Sequence, residues 1–407
     1  MGMLIRFELK KILGNRAGMV SCALVLAMLL ALTVLDYTTA VTRDFFTGEV
    51  VHGAEAQQSV RDLQETHAGQ LDDERVAADA SVLDRANQLS EETSGLYELD
   101  NQQIIDTYGL EFWQQTRAVA EDGYYMEVVG TLDSASPRAT SLRDGAEARI
   151  EGMLDHGFWG HFRYSDAEKT YWRKLEAGIS WPMEWGYAKG WHDVLEWKAF
   201  SGLAVIAVCI ALSGVFAGEY RDRTAAVVLP TRRGKRALPA AKVAASLIFT
   251  TAYWLLLAGL VIGARVVLYG ADGWDLPLQV SQGLDVPYPL TVGQTVVLAY
   301  ALGYLVALGM SALALLISSK VRSTMPVAAI TMAFVFMGVL GLFMTPAAKV
   351  ALLTPFTGLS YVYDYMVSYA MGPLVADLPT VLAVLYGVML VVFTPFAMRA
   401  FKRHQVA

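Results

Sequence analysis

Three features of this 407-residue sequence predict a mainly α, polytopic membrane protein with six transmembrane helices. Hydrophobic residues make up 55% of the chain and gather in blocks of about 20, the length that crosses the hydrocarbon of a bilayer. Short basic clusters flank these blocks, and one threading with both termini cytoplasmic places all of them on the same side. Charge is also segregated. Residues 37–197 carry 30 acidic against 13 basic residues, a net of −17 in a chain whose net is −7, and contain no run able to span. They are expected to form one large, mostly helical extracytoplasmic domain.

Residues 1–17 place Leu4, Ile5, Leu9, Ile12 and Leu13 at helical spacing, with Arg6, Lys10, Lys11 and Arg16 facing elsewhere. This predicts an amphipathic helix lying on the inner membrane face. Residues 18–36 are expected to form the first span, with an apolar run longer than a cleaved signal peptide needs; Thr38-Thr39-Ala40 is a weak cleavage site and the alternative. In the outer domain, Glu55 to Glu92 is charged and free of proline, with Val60, Leu63, Leu71 and Val76 in a helical pattern, so one or two helices are expected there. The remainder is rich in aromatics, among them Trp113 and Trp172, and is large enough to bury a core of its own. Trp181, Trp185, Trp191 and Trp197 at its end are expected at the outer headgroup level.

Residues 198–407 hold spans 2–6. Behind the second span lies a cationic island, Gly218–Lys242, with seven basic residues (Arg221, Arg223, Arg232, Arg233, Lys235, Arg236, Lys242) against Glu219 and Asp222. It reads as a cytoplasmic loop. The third span follows over 243–267, with Arg265 near its outer end, where the side chain can snorkel. An outer loop over 268–290 leads to the fourth span (291–317), and a tight turn with Lys320 and Arg322 leads to the fifth (325–344). The stretch 345–379 is apolar but broken by Pro346, Pro355, Gly358, Gly372, Pro373 and Pro379, and is expected as re-entrant or interfacial half-helices. A last span, 380–398, ends in Arg399, Lys402 and Arg403.

The chemistry is mostly exclusion. Arg233-Gly234-Lys235-Arg236 lacks the leading glycine and the Ser/Thr of a phosphate-cradling loop, so the chain is not expected to hydrolyse nucleotide. Cys22 and Cys209 sit inside apolar spans, and His156, His161 and His192 are scattered among aromatics, so neither disulfide nor metal site is expected. Basic residues and aromatics occupy different compartments, which removes nucleic acid as a partner. Few charges lie within the spans, against an ion-coupled pump. Thr250, Thr251, Tyr253, Trp254, Tyr300 and Tyr304 are a candidate lining for the path of an amphipathic substrate and equally the vocabulary of helix packing. Gly303, Gly309, Gly338 and Gly341 are expected at close helix contacts.

The layout of basic amphipathic helix, span, outer domain, span, basic loop and four more spans resembles a permease of the ABC-2 type. The family's pattern behind the second span is matched by Glu219, Thr224, Val228, Leu229, Pro230, Arg232, Arg233 and Lys242, with Arg223 where glycine is usual. The likeness covers residues 1–36 and 198–407 and not the outer domain. It implies that Glu219, Arg221, Arg223, Thr224, Leu229 and Pro230 couple to a separate ABC ATPase subunit that carries ATP and magnesium. It makes residues 1–17 a connector helix, and Arg232, Arg233, Lys235, Arg236 and Lys242 a basic cluster at the cytoplasmic membrane edge. A second permease chain, identical or not, and membrane lipids complete the partners. The implied activity is export of a peptide, lipid or drug. The alternative is a non-transporting receptor or assembly factor whose acidic outer domain binds a ligand.

Overall fold

The computed structural model describes residues 1–44, 46–92, 101–120, 128, 141–157, 162–224, 232–342 and 347–403. Among them, six helices are long and apolar enough to cross a membrane: Arg16–Thr39, Lys189–Arg221, Ala237–Tyr269, Val292–Ser318, Thr324–Leu342 and Leu378–Arg403, numbered spans 1 to 6. The chain is a mainly helical, multi-pass membrane protein. Val228, Leu229, Pro230, Pro346 and His161 lie outside the described residues.

The N-terminal helix, Gly2–Leu13, turns into span 1 at Gly14-Asn15. Asn15 caps span 1 by accepting from the Gly18 amide at 3.3 Å, and its own amide donates to the Ala211 carbonyl of span 2 at 3.1 Å. A Cβ at Gly18 would come within 2.4 Å of the Ala211 Cα, so the two backbones meet here only because residue 18 is glycine. Span 2 is segmented. A 3-10 turn at Trp197–Phe200 precedes the helices Ser201–Leu212 and Gly214–Arg221, which meet at Ser213. Ser318, at the end of span 4, covers that break: its hydroxyl accepts from the Phe216 and Ala217 amides at 3.1 and 3.0 Å and donates to the Ser213 carbonyl at 2.8 Å. Gly303, Gly309, Gly338 and Gly341 lie against Trp254, Tyr386, Thr354 and Ala351.

Between spans 1 and 2, β1 (Val41–Arg43) pairs antiparallel with β2 (Val50–His52), and β3 (Gly69–Leu71) with β4 (Met183–Trp185). The described residues of the insert also form helices over Gly53–Thr66, Asp73–Glu92, Asn101–Tyr108, Leu110–Ala120, Leu142–His156 and Asp166–Glu176. The last of these opens with a capping box of Ser165 and Glu168.

Among the described residues, the interior of the insert is shared with the connections after spans 3 and 5. Leu71, Val76, Met183 and Trp185 pack with Val280 and Leu284. Ile150, Leu154 and Trp172 belong to the apolar cluster that continues through Tyr288 and Met366 into the bundle. Ion pairs stitch the same seam: Arg61 to Asp272 at 3.2 Å, Arg149 to Asp285, and Lys349 to Glu168 at 2.7 Å. Trp185 and Trp191 are buried in this contact instead of facing a headgroup layer, and the Trp191 indole donates to the Ala271 carbonyl at 2.8 Å.

Residues 347–377 hold a hairpin that the sequence reading does not include. Two short helices, Ala348–Ala351 and Pro355–Tyr361, lead into a hairpin of β5 (Ser368–Met371) and β6 (Leu374–Asp377). The turn is Gly372-Pro373, with Gly372 at φ +64°, a conformation that suits a residue without Cβ. The base of the hairpin is held from the insert, where Trp172 donates to the Ser368 hydroxyl at 3.1 Å and Tyr164 donates to the Met366 carbonyl.

Candidate functional site

Four charged side chains converge where the N-terminal helix meets the end of span 2 and the start of span 3. Glu8 and Lys11 stand one helical turn apart, on the face that also buries Ile12. Lys242 is 1% exposed; its Nζ lies 2.7 Å from Glu8 Oε2 and 2.9 Å from Glu219 Oε1. Lys11 Nζ approaches the same Glu219 oxygen at 2.7 Å and Glu8 Oε1 at 3.7 Å. The Thr224 hydroxyl donates to the second Glu219 oxygen. Two carboxylates and two ammonium groups make the cluster neutral, which is the condition for keeping charge away from water at tolerable cost. Burial alone would lower the Lys11 pKa, but its hydrogen bond to Glu219 and the Glu219 and Glu8 charges outweigh this and raise it above the ordinary lysine value.

This arrangement separates residues that the sequence groups together. Glu219 turns inward onto the two lysines, and Lys242 is buried, in a helix that already begins at Arg232. The physical reason is the Glu8 and Glu219 carboxylates, two buried anions for which Lys11 supplies one counter-charge and Lys242 the second. Arg221, paired with Asp222 at 2.9 Å, stays exposed, as do Arg223 and Thr224. Arg223 adopts φ +54°, which accounts for glycine being usual at that place in the pattern. Leu229 and Pro230 fall outside the described residues, and so do the side chains of Arg232, Arg233, Lys235 and Arg236. Beside the exposed turn lies a cavity of about 750 Å³ whose walls include Glu8, Asn15, Arg16, Arg221 and Met325.

A second cluster occupies the other end of the same helices. Arg265, expected to snorkel, is 0% exposed; Asp36, at the end of span 1, and Asp193, at the start of span 2, both come to its Nη1, at 3.0 and 2.7 Å. Lys189 pairs with Asp193 at 2.9 Å, and the Tyr269 hydroxyl donates to Asp36 at 2.8 Å. Two acids again meet two bases. Snorkelling is unnecessary where the counter-charges come to the guanidinium.

The hydroxyl and aromatic residues of spans 3 and 4 are used inside the chain. Thr250 bonds Ser311 at 2.8 Å, Thr251 bonds Tyr304 at 2.7 Å, Tyr253 donates to the Cys22 carbonyl at 3.1 Å, Tyr300 donates to the Val194 carbonyl at 3.2 Å, and Trp254 packs on Gly303. None of them is among the residues lining the cavity. Sequence reasoning missed Glu8, Asp36 and Asp193 as charge partners. Glu8 carried a signal, being the one acid in the first 35 residues of an otherwise basic and apolar segment.

No curated protein and no solved structure matches the chain. The family model described as ABC-2 family transporter protein matches residues 3–406. Its members are generally non-catalytic transmembrane subunits that work with an ABC ATPase. Six spans, a basic amphipathic N-terminal helix, and a charged turn behind span 2 that is rooted in buried ion pairs agree with that match, and the chain belongs to the ABC-2 transporter family.

Proposed function

We propose that the chain is the permease subunit of an ATP-driven exporter that moves an amphipathic substrate (a peptide, lipid or drug) out of the cytoplasm or inner leaflet. A separate ATPase docks at Arg221–Thr224 and the segment that follows, and a second permease chain, identical or not, completes the path. Both termini and residues 218–242 face the cytoplasm, lipids surround the spans, and residues 37–197 lie outside. The observation that carries this reading is the exposed turn hung directly from the Glu8–Lys11–Glu219–Lys242 cluster: a push on the turn is applied to three helices at once.

The test is charge reversal in the turn, Arg221→Glu with Arg223→Glu. Losing one side of a desolvated charged contact costs about 2–5 kcal/mol, a loss of tens- to thousands-fold in affinity. The ATPase subunit should no longer co-purify from native membranes, while the chain inserts normally. Retention of the ATPase with unchanged salt sensitivity overturns the docking assignment. Orientation has its own test, since Cys22 and Cys209 are buried and give little background. Ser81→Cys should react with an impermeant thiol reagent on intact cells and Asp222→Cys should not; the reverse pattern inverts the topology.

A further inference from the structure

The two buried charge clusters draw on the same elements at opposite ends. Near the N-terminus, Glu8 and Lys11 (the helix leading into span 1), Glu219 (end of span 2) and Lys242 (start of span 3) meet. At the far end Asp36 (end of span 1), Lys189 and Asp193 (start of span 2) and Arg265 (end of span 3) meet. The two fully buried cations share one helix, and 23 residues at 1.5 Å each put them about 35 Å apart. Between the clusters the three helices are joined again, by Asn15 to Ala211 at 3.1 Å, by the Gly18–Ala211 backbone contact and by Tyr253 to Cys22 at 3.1 Å.

We infer that Lys242 and Arg265 are positioning residues that make the N-terminal helix and spans 1–3 one rigid lever, so that displacement of the turn after Glu219 is delivered to the Asp36–Asp193 end, where the insert enters and leaves. The rigidity rests on the geometry alone; that an ATPase supplies the displacement rests on the function proposed above. Each cluster fixes three helix ends against rotation, and two such fixings on the same helices remove the independent tilt that one would leave. Among the described residues, the contacts that spans 4 and 6 themselves make with the lever, such as Thr250–Ser311, Ser318 on span 2 and Phe216–Phe401, contain no ion pair; the charged link to the other half is Lys198 to Asp364 at 2.7 Å, in the connection between spans 5 and 6.

Hydrogen–deuterium exchange on the full-length chain in lipid nanodiscs tests this without any ATPase, so its failure is separate from failure of the docking assignment. Arg265→Gln should speed exchange in residues 2–13 and 218–224, at the opposite end, by roughly tenfold, the factor that 1.4 kcal/mol of lost coupling represents. Amides of spans 4 and 6 should stay at wild-type rates, and Arg265→Lys, which keeps the charge but not the ring stacking, should restore part of the protection over 2–13. Should Arg265→Gln fail to fold, Asp36→Asn, which removes an exposed carboxylate from the same cluster, is expected to give the same pattern at lower amplitude. A rise confined to residues near 36, 193 and 265 overturns the lever. So does a uniform rise that includes spans 4 and 6.

Discussion

The two ends of the lever solve one problem with different chemistry. Lys242 is a compact charge, enclosed by carboxylates that are themselves buried, and the member of its cluster that reaches solvent is a cation, Lys11, at 45% exposure. Arg265 takes both carboxylates on Nη1, and among the described residues its Nε and Nη2 have no hydrogen-bond partner. Rings cover it instead: the guanidinium carbon lies 4.3 Å from the Trp197 ring centroid and 5.5 Å from that of Tyr269. Its exposed member is an anion, Asp36, at 55%. One cluster is closed by ionic hydrogen bonds, the other partly by the flat face of a guanidinium, which an ammonium cannot reproduce.

The largest test of this contrast is Lys242→Met. It strands two buried carboxylates on Lys11 alone, and breaking a buried pair costs about 3–5 kcal/mol. Unfolding of the purified chain in detergent should show that loss, and adding Glu8→Gln should recover part of it. Arg265→Lys should cost less, about 1–2 kcal/mol, since charge is kept and ring stacking is lost. If the two costs come in reverse order, the distinction between a bonded and a stacked cation is broken.

The smallest effect sharpens the contrast away from the span ends, at the seam between the insert and residues 347–377. Buried Glu168 has burial raising its pKa, but bonds from Lys349 and Ser165 outweigh it and hold the carboxyl below the ordinary 4.5. Its contribution is present above that value and lost as pH falls through the lower folded value. Asp364, bonded by Lys198 from one side, is pushed by burial up to about 6. Its contribution is present below the ordinary 3.8 and disappears as pH rises through about 6. Melting temperature should therefore rise slightly from pH 7 to 4.5, and below 4.5 the loss at Glu168 should work against the continuing gain at Asp364. Asp364→Asn should remove the rise and expose the fall below 4.5, which Glu168→Gln should flatten.

The spans were legible in the sequence because apolar length is a local property, readable wherever 20 residues avoid water together. The ion clusters were not, because they join residues as far apart as Glu8 and Lys242, and a charge near a span end looks the same whether its partner is water or a distant carboxylate. Arg265 shows the limit well: snorkelling is the default for an isolated arginine, and nothing local announces that Asp36 and Asp193 arrive from either end of the insert. The hairpin after Tyr361 was hidden for another reason, since Gly372-Pro373 interrupts a helix and turns a pair of strands equally well. Arg223 ran the other way. Its departure from the glycine of the family pattern was visible in the sequence, and the left-handed backbone supplies the meaning.

Synthesis runs in one direction, and that gives the long helix Arg232–Tyr269 a role in assembly. Every carboxylate bonded by its two buried cations is made earlier: Glu8, Asp36, Asp193 and Glu219. Spans 1 and 2 and the whole insert therefore leave the ribosome before the two fully buried cations. Lys11 and Lys189 are in place from the start, so each pair of carboxylates is half balanced until span 3 arrives. Span 3 is the closing pin of the first half of the molecule, and a nascent chain stopped short of residue 242 leaves Glu8 and Glu219 sharing Lys11.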